Sequence, residues 1–305
     1  MSRLVVGTVK GLYELEAGGP EPRAEGGPLA DREVTALARD GDALWALAGR
    51  TILRRQGGGP WAEVADGGPF EPTCLLASTS GLLVGAEDAR LLRLEDGSLE
   101  PIAPFDETPG RDGWYTPWGG PPAVRSLTQD RAGRLYVNVH VGGIPTSADG
   151  GATWRPTIDV DSDVHQVLAH PSLEDVVLAA TAMGLAVSRD GGDRWRFERE
   201  GMHADYCRAV AVAGDMVLVS ASTGPSGRRA ALYRAPLEAL SRFERRTAGL
   251  PEWFDANLDT GCLAADGATA VLGTAEGSLY LSDDSGATWT EVAGGLPAVR
   301  AVAFA

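Results

Sequence analysis

Ser282-Asp283-Asp284-Ser285-Gly286-Ala287-Thr288-Trp289 is the stretch that decides the fold. It returns as Ser147-Ala148-Asp149-Gly150-Gly151-Ala152-Thr153-Trp154 and as Ser188-Arg189-Asp190-Gly191-Gly192-Asp193-Arg194-Trp195. The shared pattern is S-x-D-x-G-x-x-W. Ser and Asp side chains bond the backbone of their own turn. Gly supplies the positive φ of a tight connection. Trp opens the next strand and buries a large aromatic surface. The pattern therefore predicts a side-chain-stapled β-hairpin turn, used three times.

Working outward from the last copy, four short strands surround the turn: Gly261 to Ala265, Ala270 to Thr274, Ser278 to Ser282 and Trp289 to Val292. Turn residues separate them, which is the signature of one antiparallel unit. The unit recurs from Val34, Cys74, Val124, His165 and Tyr206, with Trp61 and Phe243 at the tryptophan position of decayed turns. The opening residues, Val5 to Thr8 and Gly11 to Leu15, match only the second and third strands. The closing residues, Ala298 to Ala305, are a first strand with nothing after it. Joined, they complete a unit and remove two exposed sheet edges. Repeats of roughly 40 residues then give an all-β, seven-bladed β-propeller, one domain over 1–305, with the C-terminal strand in the first blade. Six or eight blades and a Greek-key sandwich are the alternatives; the phased repeats and the split blade favour the closed ring.

The turn resembles the Asp-box of BNR-repeat proteins, a group that includes sialidase-like and other glycosyl-hydrolase-like propellers. The resemblance covers nearly the whole chain but is specific to the turn, not to an activity. It implies a WD40/YVTN/BNR-like propeller whose boxed aspartates are structural. Sialidases combine an arginine triad, a tyrosine nucleophile with a glutamate partner and an acid/base aspartate on six blades. Their Arg-Ile-Pro signature is missing here, since Gly143-Ile144-Pro145 lacks the arginine. Sialidase activity is therefore disfavoured.

The formal net charge is −15, which speaks against nucleic-acid or anionic-membrane surfaces. Cys74, Cys207 and Cys262 each open a short apolar run and read as small buried residues, not as a disulfide or zinc framework. The first residues, Met1-Ser2-Arg3-Leu4-Val5, enter a strand without a signal-peptide pattern, and the expected location is the cytoplasm.

Strand direction alternates within a blade. The boxed turns therefore share one face, while the loops between second and third strands and the linkers between blades share the other. On that second face the connections of blades four to seven are long and chemically rich. They hold three of the four histidines, His140, His165 and His203, and three of the eight tryptophans are near, Trp114, Trp118 and Trp253 being among Tyr115, Tyr206, Ser222 and Asn257. Convergent aromatic and polar groups at a channel mouth are the makings of a ligand site. Arg125, Arg208 and Arg300 open first strands at equivalent positions, suited either to carboxylate recognition or to inter-blade ion pairs. The expectation is a small polar or carbohydrate-like ligand bound at this mouth.

Three chemistries compete with simple binding. A glycosidase needs a carboxylate pair, for which Asp161, Asp163, Asp205, Asp255 and Asp259 are the candidates beside aromatic platforms. A metal-dependent enzyme would draw His140, His165 and His203 onto one divalent ion, with Asp163 or Asp205 adjacent. His170 lies toward the other face and reads as structural. A non-catalytic scaffold would show a flat, filled face.

Overall fold

The computed structural model describes every residue except 1–2, 17–18, 20 and 241. Met1 and Ser2, quoted with the opening strand, lie outside the described residues; the strand itself runs Arg3–Thr8. Seven antiparallel sheets form the ring. Blade one pairs the C-terminal strand Val299–Phe304 with Arg3–Thr8, followed by Gly11–Glu16 and Arg23–Ala24. The innermost strands of blades two to seven are Val34–Asp40, Pro72–Ser78, Val124–Gln129, Val164–Ala169, Tyr206–Ala213 and Leu263–Asp266. No helix among the described residues is long and apolar enough to cross a membrane.

Blade position decides burial. The second strand of blade five, Val177–Thr181, is buried at every residue because sheets pack on both its faces. The first strand of blade four alternates: Val124, Ser126 and Thr128 are buried, and Arg125, Leu127 and Gln129 are half-buried toward the channel. The apolar core is not one mass but a layer in each gap between blades. Leu272 and Trp289 of blade seven pack with Ala209 and Leu218 of blade six, and Trp154 of blade four packs with Leu83 and Leu91 of blade three. Phe243 fills the same wedge between blades five and six, and Trp61 between one and two. In blades two, four, five, six and seven the tryptophan position of the repeat thus packs a blade against its predecessor.

Small residues set how close the blades come. Gly7, Gly85 and Gly273 hold equivalent places in second strands. A Cβ on Gly7 would lie 2.6 Å from the Val34 carbonyl oxygen and 2.9 Å from its Cγ1. On Gly85 it would collide with Val124, and on Gly273 with Val299. The thiols of Cys74 and Cys262 repeat one contact, 3.7 Å from the Val124 and Val299 carbonyls. All three cysteines are free and buried, and burial pushes the Cys74 and Cys262 thiols up to about 12.

The three quoted turns share one bond set. Ser147 Oγ donates to Asp149 Oδ1 and accepts from Gly151 N, Asp149 accepts from Thr153, and Trp154 Nε1 donates to the Gly151 carbonyl. The same bonds recur around Ser188 and Ser282. Two successive residues, not one, have positive φ: in the last copy Ser285 at 57° and Gly286 at 79°. The turns bond the connection between first and second strands, as in Gly191 N to Asp175 O at 2.9 Å. They therefore share that face and lie away from the linkers.

Blade four departs from the pattern. Its third strand shrinks to Thr146–Ser147, and its fourth is reduced to a bridge between Thr146 and Arg155. The cause lies just upstream, where Val139 and Gly143 bridge around a tight loop and Pro145 has no N–H to give. A Cβ on Gly143, whose φ is 74°, would lie 2.7 Å from the Ile158 carbonyl. That compact loop carries His140 to the mouth.

Candidate functional site

The ring places a recurring irregularity at the mouth. In blades two to six the first strand carries a bulge at its start, and the unpaired residues are Thr35, Thr73, Arg125, His165 and, in blade six, Arg208 with Ala209. In blade one Arg300 is unpaired in the same way. A bulge bends the strand and re-aims the extra side chain, and it is over-represented beside functional sites. Thr35, Thr73, Arg125, His165 and Arg208 all line one cavity of about 380 Å³, with Glu87, Asp259 and Thr260 beside them. This volume is in the range of small-molecule sites. Thr260 Oγ1 is 2.9 Å from the Arg208 carbonyl and 3.1 Å from that of His165, so blade seven ties blades five and six at the rim.

The three arginines divide two to one. Arg300 is paired with Glu33 at 2.9 Å, and Arg208 Nε lies 2.6 Å from Asp259 Oδ1. Arg125 has neither an ion-pair nor a hydrogen-bond partner among the described residues. Burial and then the Arg208 charge push its pKa below the ordinary arginine value, with Glu87 and Asp163 acting the other way. A guanidinium keeps its proton under such pressure. It is therefore a half-buried cation with its donors unused, facing a cavity.

His140, Asp163 and His165 form a second group, their ligand atoms all within 4.8 Å of one another. Asp163 follows a short 3-10 turn, Val160–Ser162, started by Asp159, whose side chain accepts from Asp161 N. Its φ of 48° turns its carboxylate back between the imidazoles. Asp163 Oδ1 is 3.1 Å from His140 Nε2 and 3.7 Å from His165 Nε2. Burial alone would raise the Asp163 pKa, but the two imidazoles hold it well below the usual carboxylate range. His165 Nδ1 lies 2.6 Å from the Cys207 carbonyl oxygen, which can only accept, so Nδ1 carries the hydrogen. The Trp118 ring is 5.0 Å from His140 and the Tyr206 ring 4.6 Å from His165.

The remaining candidates are placed as follows. Trp118 is 68% exposed, whereas Trp114 is buried against Phe105 and Arg111 in the layer between blades three and four, so Trp114 is packing and not a ligand platform. Exposed Tyr115 donates to Asp161 at 3.0 Å. His203 stands apart from the other two histidines, its Nδ1 2.7 Å from the Tyr233 hydroxyl and its ring 4.7 Å from Trp253. Trp253 is itself held between Arg229 and Arg245. Asp205 pairs with Arg199 at 2.9 Å, and Asp255 is exposed. Ser222 is buried and bonds the Gly224 carbonyl, and Asn257 braces the same loop at Pro225. His170 accepts from the Ser172 and Leu173 amides, a structural cap.

Sequence reading missed Asn138. It is fully buried, and neither its side-chain oxygen nor its nitrogen has a partner among the described residues. It lies two residues before His140 on the strand face that turns toward blade five, and His140 Nδ1 is likewise buried without a partner. The available signal was an amide inside an apolar strand, Val137-Asn138-Val139.

No protein-family model matches the chain. No curated protein sequence matches it. Solved structures do. The periplasmic gluconolactonase PpgL of Pseudomonas aeruginosa aligns over 99% of this chain and 98% of its own, with a TM-score of 0.65 at 14% identity. The WD40 β-propeller domain of Doa1 gives 0.62 at 14% identity over 86% of this chain and 83% of its own. An ancestral GH74 enzyme gives 0.61 at 14% identity, with 85% of this chain aligned to 38% of that one. These likenesses establish the fold: the chain is a seven-bladed β-propeller, an architecture shared by enzymes and scaffolds alike.

Proposed function

We propose that the chain binds a small polar molecule carrying a carboxylate, of sugar-acid or hydroxy-acid character, at the mouth opposite the stapled turns. The observation that carries this reading is Arg125, an unpaired, half-buried guanidinium raised on a bulge into a 380 Å³ cavity. A carboxylate there would take up a bidentate geometry and relieve the repulsion between Arg125 and Arg208. The Thr35 and Thr73 hydroxyl groups and the Glu87 and Asp259 carboxylates line the cavity and supply partners for ligand hydroxyls, and exposed Trp118, beside His140, offers a flat face. Binding is favoured over glycoside hydrolysis because three of the five candidate acids are engaged. Asp163 lies between two imidazoles, Asp259 is on Arg208, and Asp205 is on Arg199. The common bond set of the three turns supports placing the chain among the BNR/Asp-box propellers.

The test uses a matched pair, gluconate and sorbitol, which differ in having or lacking the carboxylate. Calorimetric titration is expected to show gluconate binding and sorbitol binding far more weakly. Arg125→Ala should weaken gluconate binding about 10- to 100-fold, the worth of a charged hydrogen-bonded pair, while Arg125→Lys keeps part of it. Equal affinity for the two compounds, or an Arg125→Ala variant that binds gluconate like the parent, would overturn the assignment.

A further inference from the structure

The geometry points to a divalent transition-metal site formed by His140 Nε2, Asp163 Oδ1 and His165 Nε2. We propose that the site takes Zn²⁺, or a metal of like preference, with its remaining positions open toward the ligand cavity. Three observations converge. The first is spacing. Nitrogen and oxygen ligands about 2.0–2.1 Å from a tetrahedral ion stand about 3.3 Å apart. The separations from Asp163 Oδ1 to the two imidazole nitrogens, 3.1 and 3.7 Å, fall on either side of that value, and all three ligand atoms lie within 4.8 Å of one another. Small shifts of the three side chains bring them onto one ion.

The second is orientation. The hydrogen bond from His165 Nδ1 to the Cys207 carbonyl fixes the tautomer and leaves the Nε2 lone pair directed at Asp163. Metal-ligating histidines are held in this way, by a bond from the other ring nitrogen. His165 Nε2 is buried and has no hydrogen-bond partner among the described residues, and the residue is 1% exposed. A buried polar atom without a partner is costly unless something binds it. His140 adapts at no loss: its Nδ1 has no partner, so moving the ring proton there to free Nε2 breaks no bond on that side.

The third is the kind of ligand. Two imidazoles and one carboxylate suit Zn²⁺ and neighbouring first-row ions, whereas Ca²⁺ and Mg²⁺ prefer all-oxygen shells. Three protein ligands leave a position for water or for a polar group of a bound molecule, the arrangement of a catalytic rather than a structural zinc site. His165 also lines the cavity that Arg125 faces, so the open side and the anion subsite share one space. The group keeps His140, His165 and the adjacent Asp163 of the sequence expectation and loses His203, which lies against Tyr233 and Trp253.

The inference does not depend on the carboxylate reading, and its test contains no organic ligand. The chelator-treated full chain is titrated with Zn²⁺ and, separately, with Co²⁺ followed by visible absorption. One equivalent per chain is expected, with the intense visible band of low-coordinate cobalt. His140→Ala and Asp163→Asn should each weaken Zn²⁺ binding by more than about 100-fold, beyond the loss seen for partners outside the ligand shell. His203→Ala should bind like the parent. X-ray absorption of the zinc-loaded parent gives an answer that needs no variant: imidazole and oxygen scatterers without sulfur. Failure of the parent to bind stoichiometric Zn²⁺ or Co²⁺, sulfur in the zinc shell, or folded His140→Ala and Asp163→Asn variants with parental affinity would each overturn the assignment.

Discussion

Asp284 and Asp149 hold their turns as charged acceptors. Bonds from the Thr288 amide and hydroxyl draw the Asp284 carboxyl down to about 2, and those from Thr153 do the same for Asp149. In the unfolded chain such groups titrate near 3.9. A depressed folded-state pKa gives stability that is complete above the unfolded value and is lost as pH falls through the folded one. Urea midpoints should therefore decline between about pH 4 and about pH 2, as these carboxylates take up protons. Asp284→Asn is expected to lower the midpoint at neutral pH and to make that decline shallower. A parental decline in the variant would show that the turn does not depend on the charge. The free guanidinium of Arg125 is the other residue-scale feature, and here the sequence left two readings open. Arg300 and Arg208 took the ion-pair reading and Arg125 did not, because Glu33 and Asp259 lie opposite the first two.

Among the elements, blade packing was largely written in the sequence, and the aim of the mouth side chains was not. Repeated turns and the tryptophan position mark blade boundaries, and a strand left over at each terminus marks the closure, as Val299–Phe304 beside Arg3–Thr8 shows. Bulges leave no comparable trace. Nothing in Val124-Arg125-Ser126 says that Arg125 drops out of the ladder, yet that is what turns it to the cavity. Trp114 and Trp118 are four positions apart in one linker; one is buried and the other largely exposed, because Phe105 and Trp154 form a socket for the first alone. Asp163 meets His140 only through the left-handed turn at its own backbone, which a one-letter sequence does not reveal. Gly273 tests the packing directly. Its φ is not in the left-handed region, so Gly273→Ala acts through the collision with Val299. Overpacking of this kind costs about 1–3 kcal/mol, and chemical denaturation should show it. Val299→Ala in the same chain should recover part of the loss. An unchanged midpoint in Gly273→Ala would mean that the blades separate more easily than the contact implies.

For the whole molecule, closure of the ring gives two unlike faces. One carries the stapled turns, which repeat with little variation. On the other, the bulged first strands, the His140 loop and the linker around Asp163 bring Arg125, Arg208 and the His-Asp-His group to one funnel. A chain with a net charge of −15 keeps an uncompensated cation there, which would favour entry of an anion at that point over the rest of its surface. The central claim is thus that function resides at this mouth. Amide hydrogen exchange with and without saturating gluconate measures it most directly. Slower exchange is predicted around residues 123–126, 140–143 and 159–165, with the turns at 147–154, 188–195 and 282–289 unchanged. Protection confined to those turns, or none at the mouth, would contradict the account.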